Sequence, residues 1–126
     1  AAIPATLPAL PYPAYTDSVP KGRRAEGRTA LLTLMQQQER HATQTGTYVA
    51  FSAGAPGQPF KTHSGDSPSS AAYDLGARAC TAPTSVKDCI VVFATPRKSD
   101  PDVNELSISS TGTKTCTGSK SQLCWR

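Results

Sequence analysis

Large apolar residues are scarce in this sequence of 126 residues. Leu, Ile, Val and Phe together number twenty. That is close to the poverty of chains that never fold, although those chains usually carry more net charge than the +4 found here. Any core is therefore small and in need of reinforcement. Long apolar runs are missing too. The longest, Ile90 to Ala94, falls far short of the ~20 residues of a membrane helix. No charged segment followed by an apolar stretch opens the sequence, so no signal peptide is read, and a soluble, processed or truncated chain is expected. Histidine is limited to His41 and His63, which argues against a rich metal site. No CxxC spacing and no internal repeat is present. Thirteen Lys and Arg against nine Asp and Glu make a mildly basic chain of about one domain, not a strongly cationic tail.

What the sequence does have is four cysteines, Cys80, Cys89, Cys116 and Cys124. An even number in a short chain without metal spacing reads as two disulfides in an oxidising compartment. Three connectivities are open. Cys80–Cys89 and Cys116–Cys124 are preferred, because each spacing suits a strand–turn–strand closure over turn-forming residues. Each such loop is worth about 2.5–3 kcal/mol in the chain-entropy account.

Pro4, Pro8, Pro11, Pro13 and Pro20 crowd the first twenty residues. Residues 1–13 read as an extended arm or an expression scar, with a Pro-rich recognition arm as the alternative. A helix over about 20–45 follows, with Pro20 near its first turn, Asp17 or Ser18 as cap and Gly46 as its stop. Ala25, Leu31, Leu32, Leu34, Met35 and Ala42 supply the apolar positions. Gln36 to His41 supply a polar face. Residues 46–70 read as a long loop anchored by Tyr48, Phe51 and Phe60. Four strands are expected after it: Ala72–Arg78, Cys89–Thr95, Glu105–Ser109 and a return from Thr113 to Cys116. Helix first and strands after predicts an α+β domain, a long helix on a four-stranded antiparallel sheet over residues 14–126.

Reaction chemistry is not legible. The cysteines are committed to disulfides, His41 and His63 read as solvated surface residues, and Asp100-Pro101-Asp102 reads as a solvated turn. Ser110 to Lys114 lacks the length and second glycine of a phosphate-binding loop. No catalytic residue, metal or cofactor is assigned, and a non-enzymatic protein is expected. The one charge cluster is Lys21, Arg23, Arg24 and Arg28, offset by Glu26. Cations in a first helical turn oppose the helix dipole by tenths of a kcal/mol. The cluster is either a solvated turn or a patch for an anionic partner: an acidic protein, a lipid headgroup or DNA.

An ordered series of segments carries a resemblance. Pro13-Ala14-Tyr15-Thr16-Asp17-Ser18-Val19 leads into Lys21-Gly22-Arg23-Arg24-Ala25-Glu26-Gly27-Arg28. Ala30 to Arg40 and Gly46-Thr47-Tyr48 follow. Then come Ala94-Thr95-Pro96, Leu106 to Gly112, and the terminal Cys124-Trp125. The series resembles the type IV pilins, PilE-like subgroup, minor or major subunits of Gram-negative pili. The resemblance implies the pilin fold, an αβ-loop at 46–70 and a C-terminal disulfide region at 116–124. It implies a structural subunit of a surface fibre serving adhesion, twitching motility or DNA uptake. Its partners would be other pilin subunits, the assembly machinery, and a host surface or DNA. Its place would be extracellular in the pilus, with the parent protein anchored in the inner membrane before assembly. The family's apolar N-terminal segment is not matched by residues 1–12, so a truncated domain is expected. Pro20 stands where relatives usually have Arg, and Asn104 near a position where many have a cysteine.

Two other readings compete. A DNA-receptor pilin would use Lys21, Arg23, Arg24, Lys114, Lys120 and Arg126, with Trp125 for stacking. A secreted, disulfide-stabilised binding or inhibitor module would make the series a coincidence. The loop 46–70 and residues 116–126 are the expected recognition surfaces.

Overall fold

A computed structural model describes residues 12–56, 59–81 and 84–125. Of the arm read over residues 1–13, residues 1–11 lie outside them, as does Arg126, while Tyr12 and Pro13 belong to the helix. Helix α1 spans Tyr12–Thr45, 34 residues and about 50 Å. It starts earlier than the expected residue 20. Pro13 falls in the first turn, where its missing N–H is unused. Pro20 sits inside the helix, which forgoes one backbone hydrogen bond there. The helix closes as expected: the Gly46 N–H donates to Ala42 O (2.7 Å) with φ 86° at Gly46.

The sheet is antiparallel, in the order β1-β2-β3-β4, with β1 Tyr73–Ala79, β2 Ile90–Pro96, β3 Leu106–Ser109 and β4 Lys114–Cys116. Registers pair Leu75 with Ala94, Ala94 with Leu106, and Leu106 with Cys116. This row, and the parallel row of Ala77, Val92, Ile108 and Lys114, face α1. Directly opposed residues share a face, so Lys114 and Cys116 emerge on the helix side at the free β4 edge. The helix packs on β1, β2 and β3. This is the pilin arrangement of one long helix on a four-stranded antiparallel sheet. Both cystines are formed, Cys80–Cys89 across the β1–β2 turn and Cys116–Cys124 from β4 to the C-terminal loop.

The buried face of α1 differs from the apolar pattern. Arg24, Gly27, Ala30, Leu31, Leu34 and Gln38 point inward, while Ala25 and Leu32 are exposed. The spacing is helical, but polar residues with partners occupy both ends of the stripe. Gly27 is there because a Cβ would lie 2.8 Å from the ring of Tyr73. Gln38, assigned to the polar face, is 0% exposed. Its amide donates to Val49 O (2.8 Å) and accepts from Val49 N–H (3.0 Å). It thus completes the backbone of the loop that follows the helix. His41 packs edge-on against Phe60, which stacks on Phe51, so His41 is not a free surface residue. His63 is half-buried and its backbone bridges to Asp74.

The loop after α1 has little regular structure, as expected, yet it covers the free edge of β1. Phe51 exchanges backbone hydrogen bonds with Ala77, and Ser64 and Thr62 bond Tyr73 and Leu75. Edge coverage of this kind protects strands against unwanted pairing. Glu26 ties the far end of the loop to the helix. Its carboxylate accepts from the Ser64 hydroxyl and from Ala72 N–H (3.0 Å), while Ser64 Oγ accepts from the N–H groups of Ala72 (3.0 Å) and Tyr73 (2.9 Å).

Replacing Gln38 with Leu keeps the volume and strands two polar groups of Val49. Each unpartnered group costs on the order of 1–3 kcal/mol when buried. Gln38→Leu should lower the unfolding free energy by about 2 kcal/mol, read from the midpoint of urea unfolding at unchanged slope.

Candidate functional site

The basic cluster divides in the structure. Arg24 is held by a two-pronged ion pair, Nε to Asp100 Oδ2 at 2.9 Å and Nη2 to Asp100 Oδ1 at 2.8 Å. Both side chains are largely buried, at 10% and 18% exposure. Paired donors of this geometry give direction as well as energy. Arg28 donates to the carbonyl of Cys124 (3.3 Å). Arg24 is thus neutralised within the fold, whereas Arg28 gives one hydrogen bond to a neutral carbonyl and keeps its charge. Lys21 and Arg23 form no ion pair among the described residues, and Lys21 is exposed.

Asp100-Pro101-Asp102 forms the expected turn with Pro101 exposed, but Asp100 is drawn out of solvent by Arg24. Val103 and Asn104 N–H groups fold back on Asp100 O (3.2 and 2.6 Å), and Asn104 closes the turn with φ 55°. Asn is among the few residues that accept this conformation readily. The C-terminal loop then lies along the turn. Thr117 N–H donates to Glu105 O, Gly118 N–H to Val103 O, Ser119 N–H to Pro101 O and Lys120 N–H to Asp102 O. A side chain at Gly118 would collide with the backbone carbonyl of Asp102, so glycine allows this contact.

Beyond that contact the Cys116–Cys124 link returns the chain to the β4 edge. Trp125 Nε1 donates to Thr115 O (3.0 Å), and the Lys114 ammonium lies 5.5 Å from the Trp125 ring centroid. Cation and ring are mutually attractive at that separation. Lys120 faces Asp102 at 3.9 Å, as does Arg24. Of the residues expected to contact an anion, Lys114, Lys120 and Trp125 gather in this C-terminal region, and Arg28 joins it to α1. Among the described residues no cluster of His, Cys, Asp and Glu suits a metal ion. Asp100, Asp102 and Tyr73 were not identifiable as partners of the cluster. They are separated from it by tens of residues, and no local pattern announces the pairing.

Residues 13–117 match the family described as "Type IV minor pilin ComP, DNA uptake sequence receptor". The chain belongs to this type IV pilin family. The match begins where the sequence resemblance begins and spans α1 and all four strands, ending one residue beyond β4. No curated protein and no solved structure matches the chain. Membership decides for a pilin over an unrelated secreted module. The pilin is thus tied internally by Arg24 and keeps its uncommitted cations elsewhere.

Hydrogen bonds from Arg24 hold the Asp100 carboxyl below the usual carboxylate range, against the opposing effect of burial, with its field and backbone N–H groups adding to them. A depressed folded-state value means stability that is complete above the unfolded-state pKa near 4 and lost as the pH falls through the lower folded-state value. Asp100→Asn should therefore flatten the loss of stability on acidification below about pH 4. At pH 7 it should cost about 1–3 kcal/mol, since the Arg24 guanidinium is left short of its charged partner. Urea unfolding at a series of pH values checks both.

Proposed function

We propose that this pilin is a minor subunit of a type IV pilus that binds DNA for uptake, without enzymatic activity. Of the fibre roles considered, adhesion, motility and DNA uptake, the last is the one the family's description supports. The subunit would associate with other pilins through the apolar N-terminal helix of the parent protein and be displayed outside the cell on the pilus. Its parent protein would be anchored in the inner membrane and handled by the assembly machinery before that.

One observation carries the reading to particular residues: Lys114 held over Trp125 at the open β4 edge. Lys120 extends the same region from the C-terminal loop. Exposed ammonium groups pair with backbone phosphates and release counterions, which gives affinity and salt dependence. The Trp125 ring, fixed by its bond to Thr115, holds Lys114 in place and offers an apolar surface to a base or sugar. With so few free cations, the electrostatic contribution is modest, and binding is measurable mainly at low salt. Lys21, exposed on the helix, is a further contact of the same chemistry.

Labelled duplex DNA, followed by fluorescence anisotropy, tests the reading. Affinity should fall with salt. Lys114→Ala and Lys120→Ala should each reduce the slope of log K against log salt by about 0.9. DNA fragments from the source genome should compete better than scrambled duplexes. Absence of binding at low salt, or a Lys114→Ala slope equal to the parent's, rejects the proposal.

A further inference from the structure

A second place in the pilin has the makings of a ligand site, apart from the β4 edge. A cleft of about 620 Å³ opens between α1, residues 69–73 and the segment from the end of β2 to Asp102. Tyr73 forms part of its wall. This residue is 1% exposed, with its ring set on Gly27. Its hydroxyl has no hydrogen-bond partner among the described residues, yet no side-chain oxygen there is sealed off without one. The surface Tyr73 retains is therefore at the hydroxyl, which opens into the cleft. Burial, with the Asp100 charge adding and the charges of Arg24, Arg28 and Arg23 opposing, pushes its pKa up to about 12. It stays a proton donor at any physiological pH.

The charges around this donor are unevenly committed. The lining includes four cations, Arg23, Arg24, Arg97 and Lys98, and three carboxylates, Glu26, Asp100 and Asp102. Arg24 is neutralised by Asp100, and Arg97 by Asp74 at 2.8 Å. Glu26 accepts from Ser64 and Ala72. Arg23 and Lys98 have no ion pair among the described residues. A recessed phenol donor in a cleft lined by two cations without an ion pair is complementary to an oxyanion.

We infer that the cleft is a phosphate-ester site, with the Tyr73 hydroxyl and the Arg23 guanidinium donating to the phosphate oxygens and Lys98 supplying charge at the rim. The cleft is far larger than one phosphate and has room for the organic part of a small ester or a lipid headgroup against Pro20 and Pro101. A DNA duplex is a poorer occupant. Each strand presents a phosphate about every 3.4 Å along a broad cylinder, which asks for a row of exposed cations and not a single buried donor.

Inorganic phosphate is the first probe, titrated at constant ionic strength while the backbone amides of Arg23, Ala72 and Ser99 are followed by NMR. Saturable shifts at these amides are expected. Tyr73→Phe and Arg23→Gln should each weaken binding about tenfold, the usual effect of losing a hydrogen bond to a charged group. Lys98→Gln, on an exposed segment, gives a folding-neutral variant expected to weaken it about threefold. Lys114→Ala should change nothing, so this inference and the DNA reading fail separately. Displacement of phosphate by glycerol 3-phosphate assigns a free ester, and displacement by phosphatidylglycerol vesicles but not phosphatidylcholine vesicles assigns a lipid. The inference is overturned by absence of saturation, by affinity that survives all three cleft variants, by displacement by neither ester source, or by displacement by a short duplex, which would make the cleft part of the DNA face.

Discussion

Arg24 is the residue on which the far side of the molecule depends. Its guanidinium fixes Asp100, and Asp100 is the first residue of the turn against which the C-terminal loop lies. Gly118, Ser119 and Lys120 bond that turn in succession. The Cys116–Cys124 link and the bond from Arg28 to Cys124 O then close a circuit from helix to turn to loop and back to helix. Lys114 and Trp125 stand on this circuit. A pair separated by 76 residues thus positions groups that it never touches. Such a pair also raises the cost of losing either member, because the survivor is left partly buried and uncompensated.

The same logic explains how a chain so short of large apolar residues holds together. Its core is one layer between helix and sheet, built of Leu31, Leu34, Tyr73, Leu75, Ile90, Val92, Leu106 and a few neighbours. The segments without regular structure are secured by polar side chains of α1 acting on backbone: Gln38 on Val49, Gln37 on Lys61 N–H (2.7 Å) and Glu26 on Ala72. The helix is therefore both a wall of the core and a rack of hydrogen-bonding groups. Each bond contributes little net energy, but leaving its buried backbone partner unmet is costly. They therefore fix the loop's course more than they add stability.

This division marks what was legible. The four strands lie within about a residue of the segments that predict them, because alternation in β1 and β3, a bounded apolar run in β2 and the turn before β4 are all local properties. The end of α1 at Gly46 is legible for the same reason. The start is not, since proline density argues against helix everywhere except in the first turn, and Pro20 is tolerated inside. The inward face of α1 was misread at Arg24 and Gln38. Polar residues at helical spacing look solvent-facing until their distant partners are known. Asp100 and Asp102 failed in the complementary way: a Pro-containing acidic turn is generically exposed, and only Arg24 makes it otherwise. The basic residues of the C-terminal region were legible as candidates, but not the cation–ring geometry that groups Lys114 with Trp125.

The difference between a structural and an available cation is one of geometry rather than residue type. Arg24 meets Asp100 through two hydrogen bonds at 2.8–2.9 Å in a largely buried setting. Lys120 meets Asp102 at 3.9 Å, with 55% and 39% of the two side chains exposed. An exposed pair of that kind contributes roughly 0–1 kcal/mol. A phosphate approaching Lys120 therefore displaces a weak partner at little cost, whereas one approaching Arg24 would have to break a desolvated, doubly bonded pair. Asp102 lies 3.9 Å from both cations, so it stays beside Arg24 when Lys120 turns outward, and the turn beneath the loop retains its charge balance. The fold thus commits its doubly bonded arginine to architecture and leaves Lys120 on the loop and Lys114 at the strand edge exposed.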